Sequence, residues 1–228
     1  GMHADAVRKI KTSYEHIDPA LVGNASRIPV SEVSGRSSLL EKAARFGITL
    51  DRDNLQTRQI LERIKALETE GFEFEAADAS LELLLRRAAG TAPPFFTLRG
   101  FHVTVTRHGA GEPTFSVAGL SLNLPDGTPM HTSAEGHGPV DALNIALRKA
   151  LEGTYPELRE VHLEDYKVRI LNAQAATRAT TRVLIESSDT EESWNTVGVS
   201  ENIITASYEA LTDSIEYKLL RSRRPGRL

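Results

Sequence analysis

Apolar positions recur with two different periods along this chain, helical over about its first ninety residues and alternating after that. Leu39, Leu40, Ala43, Ala44 and Phe46 follow helical spacing, and Gly47 supplies a stop. The stripe Leu55, Ile60, Leu61, Ile64 and Leu67 predicts a longer helix from Asn54 to Glu70, capped by Asn54 and ended by Gly71. A third helix is expected from Ala76 to Ala88, with Leu81, Leu83, Leu84 and Leu85 along one side. Upstream, Ile17-Asp18-Pro19 and Val22-Gly23-Asn24 are turn chemistry, because a residue before proline avoids the helical region and Gly-Asn tolerates positive φ. Gly90-Thr91-Ala92-Pro93-Pro94 cannot continue a helix. The domain boundary is expected there, with a helical region over residues 1–90 and a second domain over 91–228.

Beyond the prolines the period becomes two. Phe101, Val103 and Val105 alternate with His102, Thr104 and Thr106, the pattern of a half-buried strand. Further strands are expected over Thr114–Leu124 and Thr128–Glu135, joined by the hairpin signal Pro125-Asp126-Gly127. Gly136-His137-Gly138-Pro139 then opens a helix to Leu151, with the proline at a first-turn position. The same order follows again: strands over Val161–Leu171, Arg178–Ser188 and Ser193–Val199, then a helix from Asn202 to Leu220. Ala142, Ala146, Leu147 and Leu151 lie 64 positions before Ala206, Ala210, Leu211 and Ile215. An internal duplication is therefore expected, with repeats over about 95–152 and 161–221. A chance match of two unrelated αβ units is the plain alternative. The fold class is α+β: a helical region followed by a duplicated βββα domain whose two units pack on a shared core.

Composition narrows the classes. The chain has 228 residues, 40% of them hydrophobic and 25% charged, which suits a globular protein with a real core. A net charge of −4 and a pI near 6.0 argue against nucleic-acid binding. There is no cysteine, so disulfides, thiol catalysis and thiolate-held zinc are excluded. No run approaches the ~20 apolar residues of a membrane span, and the first residues lack the apolar core of a signal peptide, so a cytoplasmic location is expected. Gly1 before Met2 reads as a tag scar on a piece of a longer protein. His3, His16, His102, His108, His131, His137 and His162 are scattered without the helical i, i+4 pair of a zinc site, and no metal site is expected. The chain has no G-x-S-x-G elbow, Walker lysine or dinucleotide glycine motif. Gly136-His137-Gly138, between a strand and a helix, is either an anion cradle or merely a turn.

Several longer strings carry a resemblance. His3-Ala4-Asp5-Ala6-Val7, Ser13-Tyr14-Glu15-His16-Ile17-Asp18-Pro19, Leu21-Val22-Gly23-Asn24 and Ser34-Gly35-Arg36-Ser37 resemble the linker region of (R)-citramalate synthases. These belong with 2-isopropylmalate and homocitrate synthases. The runs Ala134–Ala142, Asp165–Val168, Arg182–Asp189 and Trp194–Asn202 resemble the regulatory domain of the same enzymes. The resemblance implies a TIM-type barrel outside this chain that holds a divalent metal, acetyl-CoA and a 2-oxo acid. This chain should then hold no cofactor and should not catalyse condensation alone.

By the same resemblance, His3 and Tyr14 reach the active site of the partner subunit's barrel, where a histidine could move protons and a tyrosine could orient it. A branched-chain amino acid, the pathway end product, is expected between the two βββα units near a homodimer interface. Gly136, His137 and Gly138, with Val140 and Ala142, match the stretch that offers backbone N–H groups to its carboxylate, and Asp141 matches the position facing its ammonium group. Leu163, Tyr166, Ile170, Ala179 and Thr181 match its side-chain pocket, and Ser200 and Asn202 its closing edge; for the apolar ones plain core is the competing reading. The family often has asparagine where this chain has His137, so effector binding is expected to vary with pH.

Isoleucine is the effector expected of a citramalate synthase, and leucine that of the alternative, a 2-isopropylmalate synthase. The two differ only in branch position, a discrimination of ~1–3 kcal/mol. A reading of another class makes the domain a dimerisation module with a vestigial site. The expected partners are the effector, the chain's own N-terminal barrel and a second copy, with no nucleic acid and no membrane. The basic tail Arg221-Ser222-Arg223-Arg224-Pro225-Gly226-Arg227 reads as a solvated end.

Overall fold

A computed structural model describes residues 36–51, 54–172, 174–175 and 179–223. His3, Tyr14 and the two early turns lie outside the described residues. The chain divides into two compact units between Glu70 and Gly71.

In the first unit, α1 (Arg36–Arg45) ends in a glycine stop. Gly47 has φ 69°, and the Ile48 N–H reaches back to the Ala43 carbonyl at 2.8 Å, the bond that closes a left-handed helix end. The second helix, α2 (Leu55–Glu70), is capped by Asn54, whose Oδ1 accepts the Gln56 N–H at 3.0 Å. Ile60, Ile64 and Leu67 are buried along it as the spacing predicts, while Leu55, at its first position, is exposed.

The second unit begins with α3 (Asp78–Ala88) and continues through β1 (Thr97–Thr106), β2 (Phe115–Asn123), β3 (Pro129–Gly136) and α4 (Pro139–Leu151). A 3-10 turn (Pro156–Glu160) leads to β4 (His162–Ile170), β5 (Thr181–Ser188), β6 (Ser193–Ser200) and α5 (Ile203–Ser222). The strands form two antiparallel sheets, ordered β1-β2-β3 and β4-β5-β6. The Gly90–Pro94 connector lies inside this unit rather than at its edge. The reason is α3, whose Ala79 and Leu83 join the core of the sheets and whose Ser80 hydroxyl accepts the Val197 N–H of β6 at 3.0 Å.

Within each sheet one face is apolar and one polar. Ala118, Leu120 and Leu122 of β2 and Val183 and Ile185 of β5 point to the side on which α4 and α5 lie. Leu143, Ala146, Leu147, Ala150 and Leu151 of α4 and Ala206, Ala210, Leu211, Ile215 and Leu219 of α5 complete a single core. Small residues bring helix and sheet together: a Cβ on Gly136 would stand 2.4 Å from the Ala142 nitrogen, and one on Gly198 2.0 Å from the Ala206 oxygen. Phe101 of β1 stacks on Tyr208 of α5 at 5.1 Å, joining the first sheet to the second helix.

The halves match in detail. The β1–β2 register slips between Leu98 and Gly100, and the β4–β5 register slips between Leu163 and Asp165, 65 positions on. The Thr132 hydroxyl donates to the Ala146 carbonyl at 2.9 Å, and the Thr196 hydroxyl to the Ala210 carbonyl at 2.8 Å, each 64 positions on.

Candidate functional site

Where β3 runs into α4, the chain meets the helix through Gly136 and Gly138. Gly136 pairs with Ser116 of β2 and leaves no room for a side chain beneath Ala142, which is itself buried. Gly138 is the extended cap residue of α4, followed by Pro139 in the first turn and half-buried Val140. His137 is fully exposed, with Nδ1 3.5 Å from Asp141 Oδ2. That same oxygen accepts the His137 N–H at 2.9 Å. One of the three N–H groups expected to face a carboxylate is therefore engaged by the residue expected to face the ammonium group.

Sequence reasoning missed Ser116. It is 1% exposed, and its hydroxyl has no hydrogen-bond partner among the described residues. A serine in an alternating strand gives no signal of its own; only the pairing with Gly136 places this unpaired hydroxyl at the strand-to-helix corner.

The second corner holds most of the remaining residues. Ile170, Thr181 and Ser200 stand side by side across β4, β5 and β6, with buried Ala179 just ahead of β5. Asn202 caps α5, its Oδ1 accepting the N–H groups of Ile204 at 2.8 Å and Thr205 at 3.4 Å, and the Ser200 hydroxyl accepts the Asn202 N–H at 3.1 Å. Tyr166 is half-buried on the helix-facing side of β4. Its hydroxyl lies 2.8 Å from that of Ser207, which donates onward to the Ile203 carbonyl, so Tyr166 is the donor of the pair. Leu163 is at the far end of β4, beside a cavity of about 20 Å³ that Asn144, Arg148 and Ser214 also line. The two corners occupy different sheets, and no hydrogen bond joins them among the described residues.

Uncovered apolar rows flank both corners. On the helix-facing side, α4 lies mainly over β3 and β2 and α5 mainly over β6 and β5, which leaves ends of β1 and β4 bare: Val105 is 56% exposed, Val168 43% and Ile170 58%. Val105 and Ile170 are again 65 positions apart.

The most strongly perturbed carboxyl groups lie elsewhere and act as clamps. Asp189, whose side chain is fully buried, accepts the N–H groups of Glu191 and Glu192 and is paired with Lys218 at 2.8 Å and Arg221 at 3.2 Å. Burial alone would raise its pKa, but Lys218, the two N–H groups and Arg221 hold it far below the usual carboxylate range. Arg87 of α3 bonds Asp213 at 2.9 Å and Glu216 at 2.6 Å on α5. Burial pushes both carboxyls up, against the pull of Arg87. Among the described residues, no group of three His, Asp or Glu side chains could hold a metal ion, and no helix is long and apolar enough to cross a membrane.

Two three-stranded sheets, each feeding one helix through a tight corner, make up an α+β domain of known type. Residues 75–219 match the LeuA allosteric (dimerisation) domain, and the chain belongs to that family. Residues 1–71 match a homocitrate synthase post-HMGL domain-like family. The chain is similar to the (R)-citramalate synthase of Geobacter sulfurreducens, with 50% identity over 222 residues, 97% of this chain and 42% of that protein. The (R)-citramalate synthase of Aquifex aeolicus is 47% identical over 99% of this chain and 43% of its own length, and that of Synechocystis sp. 49% identical over 96% and 40%. This chain spans about two fifths of the length of these relatives. The two matched segments meet where the structure divides, near residue 71.

Proposed function

We propose that the chain is the linker and feedback-regulatory region of a citramalate synthase, binding isoleucine and pairing with a second copy of itself. The observation that carries this reading is identity of about one half, over nearly the whole chain, to (R)-citramalate synthases. In this reading the 1–90 segment, including His3 and Tyr14, completes the active site of a barrel that holds the divalent metal and acetyl-CoA. Isoleucine binds at the two corners. At the first, the backbone N–H groups around Gly138 and the unpaired Ser116 hydroxyl suit a carboxylate, and Asp141 suits an ammonium group. At the second, Ile170, Ala179 and Tyr166 offer an apolar wall. Because the corners lie in different sheets, a partner copy can set a Gly136 corner against an Ile170 corner. The bare rows ending in Val105 and Ile170 support that pairing, since exposed apolar surface of this kind marks an interface.

The two halves descend from one βββα unit. The matched bulges and the matched threonine bonds support common descent, because neither feature is required to build an αβ layer. Inhibition then follows from effector affinity that differs between two linker arrangements, since a ligand preferring neither shifts nothing.

The test is calorimetric titration of the chain with isoleucine, leucine and valine at one pH, alongside its sedimentation mass. Saturable binding that favours isoleucine is expected. A preference for leucine would assign the region to a 2-isopropylmalate synthase, and a folded dimer that binds none of the three would leave dimerisation as its role.

A further inference from the structure

The face of the first sheet turned away from α4 carries a groove of about 530 Å³, within the usual range for small-molecule sites. Its floor is the Gly119 backbone with the His102 ring laid over it, an arrangement only glycine permits: a Cβ there would stand 2.2 Å from the ring. Arg99, the residue bulged out between Leu98 and Gly100, and His102 line it from β1, and His131 lines it from β3, two strand spacings of about 4.8 Å away. The hydroxyl-bearing Ser121 and Ser133 lie between and beside them. None of these three cationic or basic side chains forms an ion pair among the described residues; Glu135, farther along β3, is the carboxylate on this face. In a chain of net charge −4, a partnerless group of one guanidinium and two imidazoles requires an explanation.

The second sheet provides an internal control. By strand register, Gly119 corresponds to Leu184, Ser121 to Glu186, Arg99 to Glu164, His102 to Lys167, His131 to Asn195 and Ser133 to Val197. There the floor is filled, two positions are acidic, and Lys167 is neutralised by Asp165. One scaffold thus has one face with a glycine floor, a guanidinium and two imidazoles and another that is filled and neutralised, so the groove does not follow from the fold.

We propose that this groove binds a small phosphorylated molecule, its phosphate held by Arg99, His102 and His131 with the Ser121 and Ser133 hydroxyls beside them. A phosphate group fits better than a carboxylate because it has enough acceptor oxygens for a forked guanidinium, imidazole donors and hydroxyls together. The groove is separate from both corners assigned to the amino acid, so its test stands apart from theirs.

The experiment titrates the whole chain with inorganic pyrophosphate and with ADP at constant ionic strength, followed by calorimetry and by the histidine resonances in NMR. Saturable binding is expected, with the His102 and His131 signals shifting and affinity falling about tenfold in His131→Gln. Gly119→Leu, which copies the second sheet, should abolish binding while leaving isoleucine titration unchanged. His131 is exposed, so its substitution remains informative even where Gly119→Leu fails to fold. No saturable binding by folded protein up to about 10 mM, where affinity falls to about 3 kcal/mol, would overturn the proposal. So would binding that His131→Gln leaves unchanged.

Discussion

Gly136 and Gly198 act by what they lack. Each stands under a helix backbone at a distance no Cβ can share, so each sets how closely a helix lies on its sheet. Gly198→Val should push α5 away from β6 and cost about 1–3 kcal/mol, read as a lower denaturant midpoint at unchanged slope. Tyr166 poses a different question, because its hydroxyl is already used: it donates to Ser207, which passes the bond to Ile203 at the start of α5. Tyr166→Phe is therefore expected to cost about 1 kcal/mol of stability even without effector. An effector affinity that drops well beyond that cost would show that the hydroxyl also meets the ligand.

Helices are held in place by charge as well as by packing. The Arg87 link between α3 and α5 joins a half-exposed guanidinium to two carboxyls whose pKa values burial has raised. A carboxyl with a raised folded-state pKa makes the folded protein bind more protons than the unfolded one, so its contribution to stability falls as pH rises through that window. Removing Arg87 strengthens this effect. Arg87→Met is expected to cost about 1–3 kcal/mol near pH 8 and clearly less near pH 5, measured by urea unfolding at both values. Asp189 works with the opposite sign. Its pKa is depressed by Lys218, the backbone N–H groups of Glu192 and Glu191, and Arg221, so its contribution is full above the ordinary value near 3.8 and is lost as pH falls below it. Asp189→Asn should destabilise by about 1–3 kcal/mol at neutral pH, because buried Lys218 and Arg221 lose their shared anion and keep only the more exposed Glu160, Glu191 and Glu192, and should flatten the acid limb of the stability curve.

For the whole molecule, the apolar rows at Val105, Val168 and Ile170 need a cover that neither α4 nor α5 provides. In the proposed dimer the partner supplies it. Ile170→Asp places a charge in that row at no cost to the core, since the residue is already 58% exposed in the single chain. It is expected to shift sedimentation from dimer to monomer at micromolar protein while circular dichroism stays unchanged. A dimer that survives this substitution would move the interface away from β4.

The order of strands and α-helices was legible throughout the second unit, though not the 3-10 turn at Pro156–Glu160, because period-two alternation and three-to-four spacing leave few competing solutions. The Pro125-Asp126-Gly127 hairpin, the Asn54 cap and the Gly47 stop were legible for the same reason: each is a local interaction between neighbours in sequence. Only resemblance pointed to the two corners proposed for the amino acid, because Gly136, Tyr166 and Asn202 also make sense as plain packing and capping residues. The allegiance of α3 was decided by tertiary structure alone. Proline and glycine at 90–94 mark a break in the helix, but whether a break is also a domain edge depends on where the helix buries its apolar side, and Leu83 buries it in the sheet domain. Ser116, the Asp189 cluster and the groove of Arg99, His102 and His131 were likewise invisible in sequence, since each joins residues that are far apart along the chain and meet only when strands pair across a sheet or a helix returns to it.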